Sequence, residues 1–182
     1  MKSFLAAIAL LAAAGHAGAE RAITLETTVN ATAREVYRAW ATRDGIKTFF
    51  APDGIVDPRP NGLYEIHFDP SAPPGLRGAE DMRILALQED RLISFTWNAP
   101  PAFPAARGQR TVVIVRLHPA AEGRTRVTLH QVGWGDGGDW DGAYAYFGKA
   151  WNFVLGNLKK RFESGPIDWK PATQNTAATQ QK

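Results

Sequence analysis

The sequence predicts one α+β domain, a curved antiparallel sheet wrapped around a long C-terminal helix, with two short helices after the first strand. Three observations predict it. An alternating segment at Ile23 to Val29 runs straight into a helix-start signal at Thr32. Alternating segments then follow one another from Leu63 to Val132 with turns but no helical pattern between them, so their strands pair antiparallel. From Asp139 to Ser164 the large apolar residues recur mostly every three or four positions, which puts them on one helix face.

The elements follow in order. AITLETTV sets Ile23, Leu25 and Val29 on one face of a half-buried strand. Thr32 with Glu35 three residues later forms a capping box, and Val36, Ala39 and Trp40 give the helix its apolar side. A second helical piece spans Asp44 to Phe50 and ends before Pro52. Pro58 to Gly62 is a turn in which Asn61-Gly62 supplies positive φ. LYEIHF, MRILALQ, LISFTW, RTVVIVRLH and TRVTLHQVG then read as strands. Two proline-rich loops interrupt them, between Phe68 and Ala79 and from Asn98 to Gly108. Each carries an apolar residue, Leu76 or Phe103, so each is either the rim of a cavity or a plain hairpin connection.

The ends of the chain read differently from its middle. Lys2, the apolar run Phe4 to Ala14 and the small residues Ala17 to Ala19 form a secretory signal at 1–19, cleaved after Ala19. The run is too short for a stable membrane anchor. KPATQNTAATQQK, at 170–182, has no apolar residue larger than alanine and is expected to be a disordered tail. The remaining span, 20–169, is the length of one domain with one core. The expected location is periplasmic or secreted, and a chain without cysteine must hold together there by packing alone. The net charge of +3 is scattered rather than gathered into a basic face, which argues against a nucleic-acid partner.

Sites for chemistry are sparse. His67, His118 and His130 lie on different strands, facing outward or at strand ends, without metal-ligand spacing. No cysteine or G-x-S-x-G offers a nucleophile. Asp81, Asp136, Asp139 and Asp141 are the acids near plausible openings, where desolvation could fit one of them to act as a general base. In GWGDGGDWDGAYAYFGKAW the aspartates lack the alternate spacing of a calcium loop. The segment reads instead as a glycine hinge and lid, with Trp134 and Trp140 as its ligand contacts, Asp139 capping the helix and Asp141 at its positive end.

Five segments in order carry a resemblance: AREVYRAW, RPNGLY, ISFTW, TRVTLHQVGW and AWNFVLGNL. With them the chain resembles the START-like SRPBCC superfamily of helix-grip proteins, in the branch related to the activator of heat-shock-protein-90 ATPase. Two positions depart from the pattern: Asn61 stands where a second glycine is common, and Ala150 replaces the glycine before Trp151. The resemblance implies an apolar cavity between sheet and helix for a hydrophobic or amphipathic small molecule or lipid; no cofactor is expected.

Strand alternation turns Arg83, Arg116 and Arg126 to solvent and sends Met82, Ile84, Phe95, Trp97, Val113, Val115, Leu117, Val127, Leu129 and Gln131 inward, with Ser94 and Thr96 outward. The candidate ligand-binding set is therefore Tyr64, Ile66, Met82, Phe95, Trp97, Leu129 and Gln131 from the sheet and Trp40 from the first helix. The hinge and last helix add Trp134, Trp140, Tyr144, Phe147 and Trp151. The same aromatics would serve equally as core. Three functions follow: an exported carrier or sensor of a hydrophobic ligand, a cyclase, aldolase or hydratase using Tyr64 or Gln131, and an interaction module like the chaperone activator.

Overall fold

Strand β1 (Ile23–Val29) opens the domain in the computed structural model, which describes residues 20–169. The expected signal and tail, 1–19 and 170–182, lie outside the described residues. Helix α1 (Ala33–Ala41) follows through the expected capping box: the Thr32 hydroxyl accepts the Glu35 amide, and the Glu35 carboxylate accepts the Thr32 amide at 2.8 Å.

Helix α2 (Arg43–Ile46) is shorter than the sequence predicts. Thr42 caps it, and then the Ile46 carbonyl accepts the amides of Phe49, Phe50 and Ala51, tightening the chain into a turn that drives both phenylalanines into the core. The α1–α2 corner requires Gly45, because a Cβ there would collide with the Arg38 carbonyl.

Among the described residues the strands number eight rather than six. β5 (Ile84–Gln88), β6 (Leu92–Trp97), β7 (Thr111–Pro119) and β8 (Thr125–Val132) form the expected antiparallel meander, and β1 pairs with β8 from Ile23↔Gln131 to Val29↔Thr125. The segment LYEIHF leaves that sheet. As β3 (Tyr64–His67) it pairs with β2 (Asp53–Val56) and β4 (Gly78–Ala79) in a second, three-stranded sheet. β2 and β4 have four and two residues, too few to show a period in sequence. A bridge between Leu63 and Arg83 links the two sheets, and Asn61 takes the left-handed conformation at φ 62° in the turn before it.

Inward residues on β7 and β8 are buried as the alternation predicts, and Arg116 and Arg126 are exposed. Ser94 departs from the prediction: it is buried on the interior strand β6, flanked in register by Ala86 and Ile114. Thr96 is half-buried, and its hydroxyl accepts the Arg83 amide at 2.9 Å.

Helix α4 (Asp139–Ser164) buries Phe147, Trp151, Val154, Leu155 and Leu158. Asp139 does not cap it. The cap position is Gly138, at φ 51°, and the Asp139 carboxylate instead accepts the Ala105 amide at 2.7 Å. Asp141 binds the Arg21 guanidinium at 2.6 Å, and that hydrogen bond holds its carboxyl below the usual range.

Candidate functional site

Aromatic packing decides which predicted residues can meet a ligand. Trp40 meets Phe49 edge-on at 4.9 Å and Phe50 at 5.4 Å, and Tyr64 stacks on Phe95 at 4.3 Å between ring centroids. These rings fill the interior together with Ile66, Met82 and Leu129, all fully buried. Trp40, Tyr64, Ile66, Met82, Phe95 and Leu129 are thus core rather than cavity wall. The Tyr64 hydroxyl donates to the Trp40 carbonyl at 3.1 Å, and burial pushes its pKa far above the ordinary phenol value.

Gln131 is also internal. Its amide nitrogen donates to the Thr111 hydroxyl at 2.8 Å, and its oxygen accepts the Trp151 indole N–H at 2.6 Å. Trp134, Trp140 and Tyr144 cluster at the start of α4, where Trp134 also meets Phe147 at 5.9 Å. Trp134 meets Trp140 at 6.2 Å and Tyr144 at 5.2 Å, both edge-on, while the Tyr144 hydroxyl donates to the Ala22 carbonyl at 2.9 Å. Gly135 lets the Trp140 ring lie on the backbone, since a Cβ would overlap it. This cluster closes the helix onto the first strand instead of opening as a lid.

Three predicted residues, Trp97, Phe147 and Trp151, line a groove of about 740 Å³ between α4, the end of β6 and the two proline-rich loops. Phe50 forms its floor, with ring centroids 5.7 Å from Trp97 and 5.8 Å from Trp151. Phe68, Leu76, Tyr146 and Phe153 are exposed around its mouth. Ala150 lies on the helical wall, and Trp169, whose indole donates to the Lys47 carbonyl, lines it from the C-terminal segment. The loops therefore rim a groove, and the 98–108 loop folds into a short helix, α3 (Pro104–Arg107).

Arg107 ties the two rims together. Its guanidinium donates to the Ala99 carbonyl at 2.6 Å on its own loop, and to Gly75 at 3.0 Å and Gly78 at 3.1 Å on the other. Burial lowers its pKa. Phe50, Phe68 and Arg107 escape the sequence reading, although an arginine inside an otherwise apolar proline-rich loop is a signal for the last.

Arg77, also on the lining, is paired with Glu80 at 2.9 Å. Burial works to raise the Glu80 carboxyl, but the amides of Gly75 and Arg77 and the Arg77 guanidinium outweigh it and hold the group below its usual range. Asp69 is the acid on the lining, its carboxyl held low by the Ser71 hydroxyl and amide.

None of the four acids expected near openings lines this groove. Asp81 pairs with Arg83, Asp136 and Asp141 with Arg21, and Asp139 holds Ala105. His67 ends β3 but is buried, 3.0 Å from the Glu65 carboxylate. His130 and His118 meet Thr24 and Thr128. Among the described residues no group of His, Cys, Asp and Glu is placed to hold a metal, and no helix is long and apolar enough to cross a membrane.

Solved structures share this fold. A protein of Mesorhizobium loti aligns with a TM-score of 0.65 at 22% identity over 81% of this chain and 100% of its own. The Aha1 dimer of Colwellia psychrerythraea aligns at 0.61 and 19% identity over 80% and 98%. CalU16 of Micromonospora echinospora aligns at 0.58 and 20% over 82% and 78%. No curated protein matches the chain. Residues 30–163 match the family described as Activator of Hsp90 ATPase homolog 1-like protein, so from α1 to the end of α4 this chain is a member of that family, on the SRPBCC helix-grip fold.

Proposed function

We propose that the chain holds a hydrophobic or amphipathic small molecule in the groove between α4 and the two proline-rich loops, and that it does so after export. The groove itself carries the reading. Its volume of about 740 Å³ lies inside the roughly 300–1,000 Å³ range of small-molecule pockets, and its wall is aromatic with a few polar groups at the rim. Phe153 and Leu76 stand at its mouth 66% and 58% exposed, an apolar margin that packing of the fold does not use. Tyr64 and Gln131, the polar groups on which the sequence rests an enzymatic reading, are engaged in internal hydrogen bonds away from the groove, which favours binding over turnover at these residues.

Native mass spectrometry of protein purified from its own host tests the reading directly, together with a titration of tryptophan emission by 1-dodecanol. A bound mass, or a saturable shift that Ala150→Trp abolishes by filling the wall, is the expected result. Emission indifferent to dodecanol and a bare mass would overturn it. Export is tested separately: fractionation should find a mature chain that begins at Glu20 outside the cytoplasm, and an intact chain inside would refute it.

A further inference from the structure

We infer that the groove selects amphiphiles carrying a single anionic head, such as a monocarboxylate, with the Arg107 guanidinium receiving the head and the apolar body lying on Phe50, Trp97 and Trp151. The inference rests on the groove being the binding site, and it goes further by naming the ligand's charge.

The charges along the lining do not cancel. Arg77 is neutralised by Glu80. Asp69 turns one carboxylate oxygen to the Ser71 amide and hydroxyl on its own loop, at 3.0 and 2.6 Å. Lys149, exposed on α4, and Arg107 both line the groove, and among the described residues neither forms an ion pair. Two cations without an ion-pair partner, Arg107 meeting the Glu80 charge only at longer range, therefore share the wall with one carboxylate, Asp69.

Arg107 is the better placed of the two. A guanidinium has five N–H donors, and three of these are held by backbone carbonyls, which fix its position without neutralising it. Two donors remain, one on Nε and one on Nη1; they lie on different edges of the guanidinium, so each is open to a single anionic oxygen. Because the group is half-buried, folding has already stripped part of its hydration, and an anion that reaches it recovers attraction that water no longer supplies. A cationic head would meet Arg107 and Lys149 with like charge, and an uncharged hydroxyl would gain only an ordinary hydrogen bond.

The test titrates the full chain calorimetrically with dodecanoate, 1-dodecanol and dodecyltrimethylammonium, each below its self-association concentration. Dodecanoate is expected to bind roughly tenfold or more tightly than dodecanol, with the ammonium weakest. Arg107→Gln should collapse that preference while dodecanol binding persists. Because Arg107 also joins two loops, Lys149→Gln, at an exposed position, provides a second variant and should reduce the preference several-fold. Equal affinities for the three probes, or a preference that survives both substitutions, would overturn the inference and leave the groove as the binding site. Failure of all three to bind would overturn both.

Discussion

The Trp151 indole N–H donates to the Gln131 side-chain oxygen at 2.6 Å, joining the middle of α4 to the last strand of the sheet. Both side chains are buried, and Gln131 passes the connection on to Thr111 on β7. A buried donor deprived of its acceptor keeps its desolvation penalty. Gln131→Leu, similar in volume but without hydrogen-bonding atoms, should therefore lower stability by about 1–3 kcal/mol, read from urea unfolding. A change below about 0.5 kcal/mol would mean that Trp151 finds another acceptor.

Tyr64 gives a pH-dependent prediction. Burial raises its folded pKa well above 10.0, so the native state keeps its proton where the unfolded phenol releases it. The resulting stability is present in full below about pH 10 and is lost as pH rises above it, since the unfolded state then binds fewer protons. Tyr37 shifts in the same direction, also through burial, so the wild type should carry the contributions of both. Tyr64→Phe should show a shallower fall of stability above pH 10, at a cost near neutrality of about 1 kcal/mol for the lost bond to Trp40. Its affinity for dodecanol should stay unchanged, because Tyr64 does not reach the groove.

Long-period features of this chain are legible in its sequence and short or three-dimensional ones are not. Helix α4 runs over 26 residues, enough for its face to be read directly, and the Thr32–Glu35 box marks the start of α1 without ambiguity. Inward alternation on β7 and β8 is legible because one face of each is buried throughout. Strands β2 and β4 are hidden by their length. The groove is hidden for a different reason: the helical face shows that Trp40 points inward and alternation shows the same of Tyr64, Phe95 and Trp97, but neither shows that the first three pack into a solid core while Trp97 stays on the wall. That outcome depends on how far α4 stands from the sheet and on Phe50, which the turn after α2 brings beneath both Trp97 and Trp151.

Asp139 illustrates how a correct residue can carry a different role. An aspartate at the start of a helix predicts a cap, yet its carboxylate reaches across to the Ala105 amide and pins the 98–108 loop against α4. Asp139→Ala should cost about 1 kcal/mol, as a cap would. The distinguishing reading is local: hydrogen exchange at the Ala105 amide should accelerate more than exchange in the first turn of α4. The reverse order would restore the capping role.

Phe153 separates binding from folding. It sits on the groove wall but is 66% exposed, so the native state gains little from its ring. Phe153→Ser should leave stability within about 0.5 kcal/mol of wild type. An apolar ligand lying along the mouth would cover that ring, and removing it takes away contact area that only the complex possesses. Dodecanol affinity is therefore expected to fall several-fold in a variant that unfolds like the wild type. Unchanged affinity would place the ligand deeper, against Phe50 and Trp97 alone, whereas a large loss of stability would show that the Phe153 ring supports the helix.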